Sequence, residues 1–287
     1  MSQWTCRETS QLREIRACVE RGTMHETWHL QDALTEPEHP DRWWYAASDQ
    51  NGRVGAFAAI EGTRACLFGD NEDAVEAMAR ALLRSQQLHT SRESHRHVLY
   101  GPARVVSPLW RIFQDVGRQV VADRRPTLMA SRPGGKGSRR MSLDIATSSD
   151  QKTCVAFLAD RSVEMDGVDP RKVAPQRFER EIATAIAAGD LLVGREVSAN
   201  NPGGRAMFVG EMRGLSDDVA MLNPWHVPGP IRGRKILVAG ALLGATTTGP
   251  GADKTIWVLV DGDTLRLAAD RAGYEPLVAW REIAMLG

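Results

Sequence analysis

Apolar residues along this chain alternate between helical and strand spacing, and their order predicts two mixed α/β halves. Residues 8–35 read as helical, with Leu12, Ile15, Cys18 and Val19 on one face and a break at Gly22. Arg42–Ser48 and Arg53–Ile60 are apolar runs on either side of Asp49-Gln-Asn-Gly52, which predicts a hairpin. A strand over Arg64–Phe68 follows. Gly69-Asp-Asn-Glu-Asp then opens a helix with an Asx cap and an acidic first turn, carrying Val75, Met78, Leu82 and Leu83. Strand His97–Tyr100, helix Val105–Val116 and strands Gln119–Ala122 and Thr127–Ala130 complete the first half.

Ser131–Arg140 is rich in Gly, Pro and Arg and has no apolar period, so the boundary is placed there. The expected division is residues 1–130, a linker over 131–140, and residues 141–287. The second half begins with strand Met141–Ile145 and helix Gln151–Val163. Helix Pro175–Ala188 stops at Gly189, and strands Leu191–Val197 and Arg205–Arg213 flank a turn at Asn200–Gly204. A fourth strand, the loop Pro228-Gly-Pro-Ile-Arg-Gly-Arg-Lys235, a small-residue helix to Gly244, strand Thr255–Val260 and a helix ending at Gly273-Tyr274 complete the order β-α-α-β-β-β-α-β-α-β. The first half repeats that order without its leading strand.

Composition narrows the class. The 287 residues are 43% hydrophobic and 25% charged, as in a globular protein that builds a sizeable core. No apolar run reaches 18 residues and the N-terminus has no signal-peptide pattern, so no membrane association and a cytoplasmic location are expected. Four scattered cysteines without a CxxC argue against a disulfide framework or a zinc ribbon. The 36 basic and 36 acidic residues cancel, which argues against holding nucleic acid by bulk charge. Arg104–Arg140 is nevertheless locally basic, and that segment could meet a polyanion or be a solvated face with a basic linker.

Two stretches suggest chemistry. The Gly/Arg loop before a helix gathers backbone N–H groups, a helix N-terminus and guanidinium groups at one point, which suits an anion; Ile231, Arg232, Gly233, Arg234 and Lys235 are its candidate residues. His25-Glu-Thr-Trp-His29 has the spacing of a zinc helix, but the preceding Gly22 and the lack of a third ligand at a metzincin spacing favour two half-buried histidines and no metal.

Several segments together resemble the GNAT acyltransferases, in the tandem form with an additional N-terminal GNAT-like domain. They are Glu164–Pro170, Phe178–Ile182, Ile186–Gly189, Phe208-Val-Gly-Glu211, Arg232-Gly-Arg234, Leu259-Val-Asp261 and Ala272-Gly-Tyr274, with Tyr100-Gly-Pro-Ala103 and Leu109-Trp110 in the first half. The resemblance implies an α/β fold of two GNAT-like domains, each a mixed, mostly antiparallel sheet flanked by helices. It implies transfer of an activated acyl group to a small-molecule or peptide amine, with the donor across a splay between strands ending near Val227 and Val260. Glu211 and His226 are the candidates for the base that deprotonates the amine; Glu211 on an edge strand or His226 capping the loop are the structural alternatives. Asp263 joins the loop as a donor-binding candidate. Trp43, Trp44, Tyr45 and Trp110 either line an acceptor pocket or pack the core.

Three departures bear on the donor. Lys235 and Leu237 stand where the family has glycines that admit the coenzyme A pyrophosphate, Ala269 stands where a tyrosine acid is common, and Asp261-Gly-Asp263 enters the last helix where an asparagine is usual. With no thiolate to protonate, aminoacyl-tRNA is the preferred donor, reached through Arg104–Arg140. The alternatives are acyl-CoA as a co-substrate, with nothing permanently bound, and a catalytically inactive binding module.

Overall fold

The computed structural model describes residues 4–10, 12–35, 39–40, 42–88, 96–131, 141–198, 201–227 and 253–286. It divides into two compact units, Met1–Thr127 with Val278–Gly287, and Leu128–Leu277. The expected C-terminal domain, 141–287, therefore gives its end to the first unit, while residues 132–140 of the expected linker lie outside the described residues.

The first unit is a sheet in the order β1 (Thr5–Glu8), β2 (Arg42–Ser48), β3 (Val54–Glu61), β4 (Arg64–Gly69), β5 (Arg96–Pro102), then the end of the chain's last strand, β13 (Tyr274–Leu286), with β6 (Val120–Arg124) on the far edge of β13. The β4–β5 pair is parallel and the others are antiparallel. Strand β3 is buried on both faces, which explains its unbroken apolar sequence. Ala56, Ala58 and Ile60 meet α4 (Glu72–Leu82) and α5 (Ala103–Asp115) through Met78, Leu82, Leu109 and Trp110. Phe57 and Ala59 meet Ile15 and Cys18 of α1 (Leu12–Arg21) on the other face.

Local chemistry sets the ends of these elements. The Asn71 side chain accepts from the Ala74 N–H at 3.0 Å and caps α4. Asp49 Oδ1 accepts from the N–H groups of Asn51 and Arg53, both at 2.9 Å, closing the hairpin turn at Gly52. Three expectations change. A leading strand, β1, exists; its Thr-Cys-Arg-Glu sequence has no apolar signature because it is a short edge strand. The helical run 8–35 is broken into α1, α2 (Met24–Thr27), a 3₁₀ turn over Trp28–Leu30 and α3 (Gln31–Thr35). Trp44, Tyr45 and Trp110 are 4%, 7% and 2% exposed and belong to the core.

The second unit is a sheet in the order β8 (Met141–Ile145), β9 (Leu191–Ser198), β10 (Asn201–Gly214), β11 (Val219–His226), β12 (Thr255–Val260), β7 (Thr127–Ser131). From β8 to β11 neighbours are antiparallel, and β11–β12 is parallel. Helices α6 (Gln151–Asp166) and α8 (Pro175–Ala188) cover one face, where Cys154, Leu158 and Ile182 pack on Leu191, Val193 and Val209. Each ends at a left-handed glycine, Gly167 and Gly189, the residue that adopts this conformation without a Cβ clash. The short α7 (Pro170–Val173) joins them, and α9 (Asp263–Arg271) follows β12. Both units thus carry the mixed, mostly antiparallel sheet with flanking helices. No helix among the described residues is long and apolar enough to cross a membrane.

Candidate active site

The second unit has one place where its sheet opens. Strands β11 and β12 pair in register from Val219–Thr255 to Leu222–Val258, and the ladder stops there although β11 continues to His226 and β12 to Val260. On its other edge β11 is bulged: Gly210 pairs with Trp225 and Met212 with Leu222, so Asn223 and Pro224 stand opposite Glu211 alone. Proline donates no N–H to a ladder, which is why a bulge accommodates it inside a strand. Beyond the last ladder pair the Trp225 indole N–H donates to the Leu259 carbonyl at 3.0 Å, so a side chain takes an acceptor that backbone would otherwise use. The indole is half-buried, tilted 34° to the Phe208 ring at 6.0 Å.

The two predicted bases share the sheet face under α6 and α8. His226 pairs with Val209 and is 6% exposed, its ring edge-on to Phe157 of α6 at 6.4 Å. Glu211, two residues beyond Val209, lines a groove of 740 Å³ between α6, α8 and the end of β10. The two are diagonal neighbours on the β10–β11 pair, a relation that sets positions about 7–8 Å apart. Leu158, Ile182 and Leu191 form the apolar wall of the groove, and Arg161, Arg177, Arg180 and Arg213 bring cations to it. Arg213 donates to the Glu211 carboxylate, whose side chain is 13% exposed. An oriented carboxylate at the edge of a groove of ligand size can accept a proton from a bound ammonium.

The other predicted residues are not gathered there. Ile231, Arg232, Gly233, Arg234 and Lys235 lie outside the described residues. Asp263 is exposed in the first turn of α9, two residues after the Asp261 that follows β12, where its charge favours the helix dipole. Ala269 is fully buried among Val258, Val260 and Tyr274. His25 sits on α2 and His29 on the 3₁₀ turn, so one continuous helix face does not hold both, and no group of metal-ligating residues forms among the described residues. Within the basic segment Arg104 is paired with Glu26 at 2.6 Å, Arg124 with Glu282 at 2.9 Å and Arg125 with Asp123 at 3.0 Å.

The first unit has a counterpart to the opening, and it is filled. Its parallel ladder runs from Arg64–Val98 to Cys66–Tyr100 and stops. The next carbonyl on β4, that of Leu67, accepts from His29 Nε2 at 3.2 Å, which fixes the proton on Nε2. The His29 ring is wedged edge-on between Tyr100 at 5.6 Å and Trp280 at 4.7 Å. Burial pushes its pKa down from 6.5 to about 3, so the ring stays neutral.

Sequence reasoning passed over Trp225, Arg213 and the groove arginines. The proline in Asn223-Pro-Trp-His226 was the available signal, because proline inside an apolar strand marks a bulge. The arginines offered none, since exposed arginine on a helix is ordinary.

Solved structures match this architecture over its whole length. A GCN5-related N-acetyltransferase from Sphaerobacter thermophilus aligns with a TM-score of 0.62 at 13% identity, covering 98% of this chain and 95% of that one. A GNAT-family acetyltransferase from Colwellia psychrerythraea aligns at 0.56 and 12%, covering 99% and 100%. A tandem GNAT protein from the clavulanic acid biosynthesis pathway aligns at 0.55 and 14%, covering 100% and 99%. The chain has the GNAT fold in its tandem form. No protein-family model and no curated protein matches the sequence.

Proposed function

We propose that this chain is an N-acyltransferase whose C-terminal unit moves an activated acyl group onto the amine of a small molecule or peptide. The observation that carries the reading is the junction of the opened β11–β12 pair with the groove that holds Glu211, on one sheet. The acyl carbonyl lies in the opening and the acceptor amine reaches it from the groove. Attack of the amine forms a C–N bond and a tetrahedral oxyanion, for which backbone N–H groups released by the bulge are the available donors. Collapse breaks the bond to the leaving group. Glu211 takes the ammonium proton, and Arg213 orients its carboxylate. His226, buried against Phe157, holds the strand end at the opening.

An acyl thioester of coenzyme A is the donor we infer, with Arg232, Arg234 and Lys235 on its phosphates and Asp263 at the mouth. The ion pairs of Arg104, Arg124 and Arg125 support this choice over a tRNA, because those charges are already engaged. Aminoacyl-tRNA is the second reading. What favours it is Ala269, a buried methyl group that supplies no acid to a leaving thiolate.

Incubating the protein with acetyl-CoA or an aminoacyl-tRNA and a panel of amines, with mass-spectrometric detection of amides, tests both. E211Q should lower kcat by about 10²–10⁴-fold with a small change in KM, and H226Q should not. Amide formation from the tRNA ester alone moves the donor assignment. No amide from either donor returns the chain to an inactive binding module.

A further inference from the structure

We propose that Trp225 decides which acyl donors enter: its indole closes the opening between β11 and β12 until an extended, amide-bearing arm displaces it. This rests on the acyl-transfer reading above. Past Leu222–Val258 the two strands no longer satisfy each other, and the first carbonyl of the open stretch, Leu259, is taken by the Trp225 N–H at 3.0 Å. An open strand edge recognises a chain with amide groups at strand spacing, because such a chain supplies N–H and C=O groups in step with those left exposed. Such an arm must take the Leu259 carbonyl from the indole. A rigid or amide-free donor has nothing to exchange for that bond and meets a closed opening.

The first unit shows why this plug is movable. There the corresponding ring, His29, also takes the first carbonyl beyond the ladder, that of Leu67, but it is wedged between Tyr100 and Trp280. The Gly101 backbone lies so near that an added Cβ would stand 2.5 Å from the same carbonyl oxygen. No arm passes there. Trp225 is half-buried, makes one hydrogen bond and leans on one ring, Phe208, so its displacement costs little beyond that bond.

Coenzyme A, whose pantetheine arm carries two amides, is the probe, titrated calorimetrically into the full chain and into W225F, which keeps a ring and loses the N–H. W225F should bind about two- to tenfold more tightly, the equivalent of one net hydrogen bond. In the unmodified protein the Trp225 indole proton, assigned by through-bond correlation, should shift as coenzyme A saturates. Unchanged or weaker affinity in W225F overturns the proposal, as does an indole resonance that stays in place at saturation. If neither protein binds coenzyme A but amide forms from an aminoacyl ester, the gate falls and acyl transfer stands. No amide from any donor removes both.

Discussion

Lowering the pH from 7.5 to 5.0 should destabilise the N-terminal unit by about 2 kcal/mol through His29 alone. The Nε2 proton is committed to the Leu67 carbonyl, so a second proton must go to Nδ1, a buried nitrogen without a hydrogen-bond partner. Burial opposes that cation, the bond to Leu67 opposes the shift in part, and the Arg64 charge adds to it, leaving the native pKa at about 3 against 6.5 when unfolded. The unfolded chain therefore binds the proton first as the pH falls. The stability is complete above 6.5 and is lost at about 1.4 kcal/mol per pH unit on the way down to about 3. Between 7.5 and 5.0 this amounts to about 2 kcal/mol. Urea denaturation of the wild type and H29Q at both pH values isolates it, because glutamine offers an N–H near the Nε2 position and does not titrate. Other titrating groups are common to both proteins and cancel in the difference. An equal loss in the two proteins would refute the reasoning, since His29 would then accept its proton without penalty.

Three further outcomes follow from packing. Gly101→Ala should cost about 1–3 kcal/mol in urea denaturation, because its Cβ would press on the Leu67 carbonyl, which is backbone and yields little. R281A should cost about 1–3 kcal/mol, since Arg281 is 12% exposed and makes two 2.9 Å bonds to Asp123, tying the last strand into the first unit; a cost below 0.3 kcal/mol, a threshold well under the smallest net hydrogen bond of about 0.5, would show the pair to be idle. Cys18 and Cys154, fully buried and with thiol pKa values pushed by burial to about 12 and about 11, should stay silent toward a disulfide reagent at pH 8 in the native protein. Labelling of either at the rate seen in urea would contradict their enclosure.

Most elements, and part of the site, were legible in the sequence because their causes are local. Asn71 as a cap, Gly52 in the hairpin turn and Gly167 and Gly189 as helix ends act through neighbouring residues. Glu211 and His226 were found from a segment pattern, and the structure sets both on the face under α6 and α8. The split of the expected 8–35 helix around His25 and His29 was not legible, because His29 is fixed by Leu67 and Trp280, which are far away in sequence.

The sequence by itself determined the alternation of helices and strands, the repetition of one order in two halves and the residue types at the strand ends, since each depends on spacing, caps and turns within a few residues. The tertiary structure decided what those pieces meet. It gave Val278–Gly287 to the first unit, where the last strand lies between β5 and β6. It also stopped both parallel ladders and filled each opening with a ring, His29 in one unit and Trp225 in the other. Strand partners and the carbonyls they leave free depend on contacts between distant residues, and no local pattern encodes them.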